Sequence, residues 1–231
     1  MKFEKKLLQG TLIKRYKRFF VDIKHENRRI IAHCPNSGSM HGLLKEGNRV
    51  WFSKSDDPKR KLKYTLQIIE VNNTLVGVNT HLTNKIILES LKKKKIQILS
   101  LFTNIKPETK FSENTRFDFL ISNNIKKCFV EVKNVTLVRQ KNIAEFPDAI
   151  TSRGKKHLEE LIKAKKKGYE SYILYLIQRE DCKIFKIAKD IDPEYKNTLD
   201  LALKNGVKLL CYDCKLSNED IRINNQIYYE K

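Results

Sequence analysis

The chain has 231 residues, of which 40% are hydrophobic, and this is enough for one large domain or two modest ones. It carries 47 Lys and Arg against 27 Asp and Glu, so its formal net charge at pH 7 is +20. A basic excess of this size predicts a polyanionic partner, above all nucleic acid, and argues weakly against a small phosphorylated molecule as substrate.

Hydropathy and cysteine content predict the compartment. No apolar run reaches the ~18 residues that a transmembrane helix needs, and the N-terminus lacks the apolar stretch of a signal peptide. The five cysteines are scattered and odd in number, which fits free thiols in a reducing environment. We therefore expect a cytoplasmic protein without a membrane segment. The oligomeric state is left open, with a dimer as one option.

Residues 1–82 show short strand-like runs separated by turn signals, including a hairpin turn at Asn72-Asn73. The five runs are residues 8–23, 28–33, 49–53, 63–71 and 74–78. Basic and aromatic residues alternate along the first run, which favours a five-stranded oligonucleotide-binding (OB) type barrel. Such a barrel binds nucleic acid through a charged groove. The candidate phosphate-binding residues are Lys14, Arg15, Lys17 and Arg18.

The aromatic residues of this region are open to two interpretations. In OB barrels, aromatic side chains serve as stacking platforms for bases, but they also fill the barrel core. For each residue taken singly, the core is favoured. The four residues concerned are Tyr16, Phe19, Phe20 and Trp51.

Helical periodicity begins near residue 82 and alternates with strand-like runs to the end of the chain. The sequence predicts helices near 86–95, 149–167 and 193–205, with strands at 172–177 and 207–212. This order is typical of a mixed α/β sheet. We therefore divide the chain into residues 1–82 and residues 83–231, joined closely because no low-complexity linker separates them.

Two strand-like runs in the second part carry acidic residues, and a turn at Ser122-Asn123-Asn124 would pair them as a hairpin. The first run contains Asp118, and the second contains Glu131 and Lys133. Because side chains alternate along a strand, Glu131 and Lys133 share one face, and the hairpin brings Asp118 alongside Glu131. Two carboxylates beside a lysine suit a divalent metal and a nucleophilic water. The alternative is an ordinary edge hairpin with a solvated polar face.

Further candidate residues lie on either side of this hairpin. Glu113 is a possible third metal carboxylate or a turn residue, and Asp148 is a possible N-cap of the long helix. Arg153 and His157 are four residues apart, so they occupy one helix face. Arg153 could hold a phosphate, and His157 could orient it, move a proton, or simply lie at the core edge.

Five segments taken together resemble the sugar fermentation stimulation protein family, SfsA. In chain order they are residues 10–19 (GTLIKRYKRF), 32–40 (AHCPNSGSM), 116–120 (RFDFL), 131–137 (EVKNVTL) and 146–158 (FPDAITSRGKKHL). The resemblance implies an N-terminal OB-like domain, a C-terminal domain like the PD-(D/E)XK nucleases, and DNA binding. The nuclease pattern falls on Asp118, Glu131 and Lys133, although Phe117 stands where many such nucleases have proline.

We therefore predict a DNA-binding protein with a nuclease-type site that uses Mg²⁺ or Mn²⁺. Asp118 and Glu131, with Glu113 as a third carboxylate, would hold the metal. Lys133 and His157 would act on water and phosphate, and Arg153 would steady the phosphate. A non-enzymatic DNA-binding regulator of sugar metabolism is the alternative, although no helix-turn-helix signature is present.

Overall fold

The computed structural model describes residues 1–231. Its first sheet has six strands: β1 (Leu8–Tyr16), β2 (Phe20–His25), β3 (Arg28–His33), β4 (Arg49–Lys54), β5 (Tyr64–Val71) and β6 (Thr74–Gly77). The strands lie in the order β3-β2-β1-β4-β5-β6, and an additional parallel pairing joins β3 to β5. This pairing, Ala32 with Tyr64 and His33 with Thr65, closes β1 to β5 into the predicted five-stranded barrel.

The run at residues 8–23 was predicted as one strand, and this was wrong in detail because the structure folds it into a hairpin. β1 and β2 pair in antiparallel fashion around a turn in which Lys17 and Arg18 have φ of 46° and 60°. Such left-handed backbone is uncommon outside Gly, Asn and Asp, so the sequence gives no turn signal here. By contrast, the predicted turn at Asn72-Asn73 forms, with φ of 50° and 62°.

A half-buried arginine fixes the loop that follows β3. The Arg15 guanidinium donates to the backbone oxygens of Asn36 (2.7 Å), Gly38 (3.0 Å) and Ser39 (3.3 Å). Its Nε donates to the carbonyl of Arg18 at 2.7 Å, so one side chain joins the β1–β2 turn to the loop. The planar fork of arginine suits this multiple contact.

The rest of the chain contains three α-helices and ten strands. The helices are α1 (Thr83–Lys92), α2 (Ser152–Lys166) and α3 (Pro193–Lys204). The strands are β7 (Asn104–Ser112), β8 (Thr115–Ser122), β9 (Lys127–Val135), β10 (Leu137–Gln140), β11 (Ile143–Phe146), β12 (Glu170–Ile177), β13 (Ile184–Ile187), β14 (Lys208–Leu216), β15 (Ile221–Gln226) and β16 (Tyr228–Tyr229).

Six of these strands form a mixed sheet in the order β15-β14-β12-β9-β8-β7, with parallel pairs at its centre. The predicted mixed α/β sheet is therefore confirmed. A second sheet, β10-β11-β13-β16, was not predicted, because strands of two to four residues carry too little periodicity.

Both faces of the mixed sheet are covered by helices. On one face Ile86 and Ile87 of α1 pack with Leu174 and Leu176 of β12. On the other face α2 and α3 pack over alternate residues of the same strand, among them Tyr175. Burial on both faces explains why the predicted strand at residues 172–177 is a continuous apolar run.

The barrel and the mixed sheet are joined by direct hydrogen bonds. The Gly77 N–H donates to the Gln178 carbonyl, directly after β12, at 2.8 Å. Thr80 Oγ1, in the segment before α1, donates to the Pro35 carbonyl of the barrel loop at 2.7 Å. At the N-terminus, the Phe3 N–H donates to the Glu219 carbonyl at 2.9 Å. Residues on both sides of the barrel sequence therefore lie against the C-terminal part.

Asp148 is a further link between the two parts and not the N-cap of α2, as predicted. Thr151 caps the helix, since its Oγ1 accepts from the Gly154 N–H at 3.0 Å. The Asp148 carboxylate instead accepts from Ser39 Oγ at 3.2 Å and from the Met40 N–H at 3.3 Å. An N-cap side chain accepts hydrogen bonds from the first backbone N–H groups of its own helix. The Asp148 carboxylate instead accepts from a loop more than 100 residues away in the sequence.

The five cysteines are buried and free. The three α-helices are all too short or too polar to cross a membrane.

Arg15 and Arg18 provide a matched test of the loop contact. We expect Arg15→Lys to lower the free energy of unfolding by about 1–3 kcal/mol, because lysine cannot satisfy four separate carbonyls. Arg18→Lys should change it by less than about 0.5 kcal/mol, because the Arg18 side chain is exposed. Urea denaturation would measure both variants, and equal losses would contradict the role of Arg15.

Candidate functional site

The site begins where β8 separates from β9. The two strands pair from Phe119 with Val130 to Ser122 with Lys127, and the same register would set Asp118 opposite Glu131. The pairing stops at Phe119, however, and the Asp118 Oδ2 accepts the Val132 N–H at 2.7 Å. Phe117 and Phe119 pack on opposite faces of the sheet, so the strand rotates at this point. The Asp118 carboxylate therefore takes the place of a backbone partner.

Asp118 is held from a second side by α1, whose Asn84 Nδ2 donates to its Oδ1 at 2.7 Å. Burial raises the pKa of Asp118 to about 6, and the negative charge of Glu131 adds to this effect. The two hydrogen bonds and the Lys133 ammonium oppose the rise without cancelling it. Asp118 thus changes its charge close to neutral pH.

Glu131 lies deeper, with only 2% of its surface exposed. Its Oε1 accepts from Lys133 Nζ at 2.6 Å and shares a hydrogen bond with His157 Nδ1. Burial alone would raise the pKa of Glu131, but Lys133 and His157 outweigh burial and hold this pKa below its ordinary value. Its Oε2 is also buried and has no hydrogen-bond partner.

His157 and Arg153 reach the site from α2, one helical turn apart. Arg153 Nε donates to His157 Nε2 at 3.4 Å. With Nε2 as acceptor, the imidazole proton is on Nδ1, so Nδ1–H donates to Glu131. Lys133 Nζ lies 3.2 Å from the same Nδ1. The structure thus brings together four predicted residues, Glu131, Lys133, Arg153 and His157.

The predicted set of three metal-binding carboxylates is not assembled. Glu113 is exposed in the turn between β7 and β8 and makes no hydrogen bond to Asp118 or Glu131. No group of three or more His, Cys, Asp or Glu side chains is placed to hold a metal ion. Glu113 instead lines the rim of a wider cleft, of about 960 Å³, that also contains Asp118.

Two residues near Asp118 were missed by sequence reasoning. Asn84 bonds Asp118, and it also donates to Glu108 Oε1 at 3.4 Å. Glu108 interrupts the β7–β8 pairing with φ of 50°, at the position that would otherwise face Asp118. In the sequence, Asn84 is an ordinary polar residue of a helix and Glu108 an ordinary acid of a strand, and neither belongs to a recognisable motif.

The basic residues predicted on the barrel lie outside this cluster. Arg15 is engaged with loop carbonyls, as described above. Lys14, Lys17 and Arg18 have exposed side chains without ion pairs to the protein, and Lys14 Nζ lies 5.8 Å from the centre of the Tyr16 ring.

The cluster opens into a cleft of about 350 Å³, here called the site cleft. It is lined by Thr80, His81, Thr83, Asn84, Asp118, Glu131, Val132, Lys133, Asn134, Arg153 and His157. Only one of these eleven residues is hydrophobic. Its carboxylate oxygens suit a hard divalent cation, and its Lys and Arg suit a phosphate.

The chain matches known families along most of its length. A family model described as the SfsA N-terminal OB domain matches residues 13–78, and one described as the sugar fermentation stimulation protein RE domain matches residues 81–220. A sugar fermentation stimulation protein homolog from Pelagibacter ubique is 56% identical over 227 residues, covering 98% of each chain. The homolog from Bartonella henselae is 44% identical over 232 residues, covering 100% of this chain and 99% of the relative.

A solved structure agrees with these matches. SfsA from Pyrococcus furiosus, in complex with Ca²⁺, superposes with a TM-score of 0.89 at 26% sequence identity. The match covers 100% of this chain and 98% of the other. Three findings point to one family: the barrel followed by a mixed α/β sheet, the resemblance in five segments, and the similarity over the full length. The chain belongs to the sugar fermentation stimulation protein family, SfsA.

Proposed function

We propose that this protein binds DNA and hydrolyses its phosphodiester bonds with the help of Mg²⁺ or Mn²⁺. The observation that carries the proposal is the pair of carboxylates Asp118 and Glu131, set beside Lys133 in a polar cleft. A plain edge hairpin would leave its acids in solvent, whereas Glu131 is buried at 2% exposure.

The donor set fits a divalent cation. Glu131 Oε2 is buried without a partner, which is costly for a carboxylate oxygen unless something else satisfies it. Repulsion from Glu131 helps to raise the pKa of Asp118, and a bound cation would relieve this repulsion. Asp118 and Glu131 would hold the ion. When bound, it would activate a water and neutralise phosphate charge. The Ca²⁺ in the Pyrococcus furiosus structure supports a divalent ion in this family.

The remaining residues have roles that follow from their contacts. Glu131 anchors the Lys133 ammonium at 2.6 Å, which fixes a positive charge in the cleft where the phosphate would gain negative charge. Arg153 is exposed and offers a guanidinium to the phosphate. His157 donates to Glu131 Oε1 and so orients this carboxylate with Oε2 left free.

The barrel would supply binding to the nucleic acid. Its match to an OB domain and the net charge of +20 both favour a nucleic-acid partner. Lys14, Lys17 and Arg18 expose charges that no acid of the protein neutralises, and we assign them to the phosphate backbone. Arg15 would act indirectly, by holding the loop.

Cleavage assays with the wild type and two variants test this proposal. Labelled DNA is incubated with Mn²⁺ and separated on a denaturing gel. We expect Asp118→Asn to reduce cleavage at least about 100-fold, because it removes a charged metal ligand. Glu113→Gln is the matched control, since it removes an exposed carboxylate nearby, and it should keep more than about half of the activity.

Cleavage by Asp118→Asn at the wild-type rate would exclude this site. A wild type that binds DNA and never cleaves it, with Mg²⁺ or Mn²⁺, would favour the non-enzymatic regulator.

The pKa of Asp118 predicts how metal affinity depends on pH. Below about 6 this carboxyl is protonated in the folded, metal-free protein, so a cation must displace the proton. Glu131, with its lowered pKa, stays ionised in the same range. Mn²⁺ affinity should therefore be constant above pH 7 and fall by up to about tenfold per pH unit below pH 6. Electron paramagnetic resonance of free Mn²⁺ between pH 5 and 8 measures this. A constant affinity over that range would contradict the assignment of Asp118 as a ligand.

A further inference from the structure

A second cleft, of about 840 Å³, lies on the other side of the segment that leads into α1, and we call it the junction cleft. Its wall on the barrel side includes His33, Arg60, Thr65 and Gln67, and His81 lines it from the segment before α1. His81 also lines the site cleft. The two clefts therefore adjoin at His81, so an extended ligand could continue from one cleft into the other.

The junction cleft has spare positive charge. Its lining contains five Lys and Arg side chains and three acidic ones, and two of the acids are already ion-paired: Glu4 with Lys85 and Asp56 with Lys5. Arg60 has no acidic partner and donates to Thr65 Oγ1 at 2.6 Å. The hydroxyl positions its guanidinium without neutralising it, which is an arrangement that suits a phosphate.

The neutral polar side chains of the cleft are fixed by one another. Asn79 Nδ2 donates to Gln67 Oε1 at 2.7 Å, and Gln67 Nε2 donates to Ser53 Oγ at 2.9 Å. Gln67 and Asn79 are 7% and 6% exposed, so the floor of the cleft is both polar and rigid. Burial lowers the pKa of His33, and the nearby Arg60 and His81 add to this effect, which indicates that the three side chains share one electropositive region.

An aromatic platform extends from this region. Phe19 stacks on His33 with ring centres 6.2 Å apart and planes at 24°. Phe19 is 44% exposed, so it does not serve as barrel core. Its backbone is held by hydrogen bonds to Lys17 (2.7 Å) and Cys34 (2.8 Å). The exposed Phe19 ring stacks on His33 of the cleft wall, and the same wall carries Arg60 without an acidic partner, so an aromatic face and a free guanidinium are available to the base and the phosphate of a nucleotide.

We propose that the junction cleft binds a nucleotide of a single-stranded segment, next to the phosphate in the site cleft. Arg60 and His81 hold its phosphate, and its base stacks on the Phe19–His33 pair. A base within a duplex is already covered on both faces, so the platform selects single strands or frayed ends over intact duplex. This inference rests on the proposed function, because it assumes that the strand continues into the site cleft.

Fluorescence anisotropy tests the inference without any cleavage. A labelled single strand of roughly 12 nucleotides, a length that an OB barrel can span, is titrated in EDTA with each variant. We expect Phe19→Ala and Arg60→Gln each to raise Kd about tenfold. Phe19→Tyr should keep the wild-type Kd, because tyrosine also stacks. Lys59→Gln is the charge-matched control: it removes one exposed charge beside Arg60 but outside the cleft, and should change Kd less than about twofold.

The outcomes separate this inference from the proposed function. If Arg60→Gln and Lys59→Gln bind alike, or if Phe19→Ala binds like Phe19→Tyr, the junction cleft is not a nucleotide site, whatever the cleavage assay shows. If the variants raise the Kd for duplex DNA as much as the Kd for the single strand, the preference for single strands is overturned. If the expected pattern appears and the protein never cleaves DNA, the binding inference stands and the nuclease proposal fails.

Discussion

A buried carboxylate governs the centre of this protein. Glu131 is in the middle of a sheet covered on both faces, where an unpaired charge would be prohibitively unstable. Its Oε1 is therefore satisfied twice, by Lys133 from the same strand and by His157 from α2. This pairing fixes the rotation of α2, which in turn brings Arg153 to the cleft. The second oxygen of Glu131 is buried without a protein partner.

The pKa values of the two carboxyl groups shift in opposite directions because their surroundings differ. Glu131 has cationic and imidazole partners, and its pKa lies below the ordinary value. Burial and the charge of Glu131 raise the pKa of Asp118 to about 6, and the neutral donors Val132 and Asn84 only partly oppose this rise. Neighbouring acids whose pKa values are separated in this way are common at functional sites.

The segment before α1 connects the barrel to this centre. Gln178 Nε2 donates to Thr83 Oγ1 at 3.1 Å and also bonds Asn134, which directly follows Lys133. Asn84, the next residue of α1, bonds Asp118. The start of α1 is thus fixed by the same strands that carry the site, and His81 lies between the two clefts. The relative position of barrel and sheet therefore also determines the path that a bound strand could follow.

Local pattern was sufficient for residues that share one face of a single strand or helix. Strand alternation predicted that Glu131 and Lys133 share a face, and helical spacing predicted that Arg153 and His157 lie together; the structure has both. The resemblance in five segments predicted the family and the barrel followed by a mixed sheet, and both are confirmed. The division at residues 82 and 83 stays a prediction.

Contacts between distant segments could not be predicted in this way. Asn84 bonds Asp118 and Glu108, and no motif marks either Asn84 or Glu108. Arg15 and Asp148 lie in segments of the family resemblance, but their contacts with the loop at residues 36–40 were not predicted. The assignment of Glu113 as a third metal ligand stays a prediction. The sequence alone determined which side chains share a face, since periodicity is a property of the local backbone. Only the tertiary structure decided which faces meet, because burial and hydrogen bonding between remote segments are settled by packing of the whole chain.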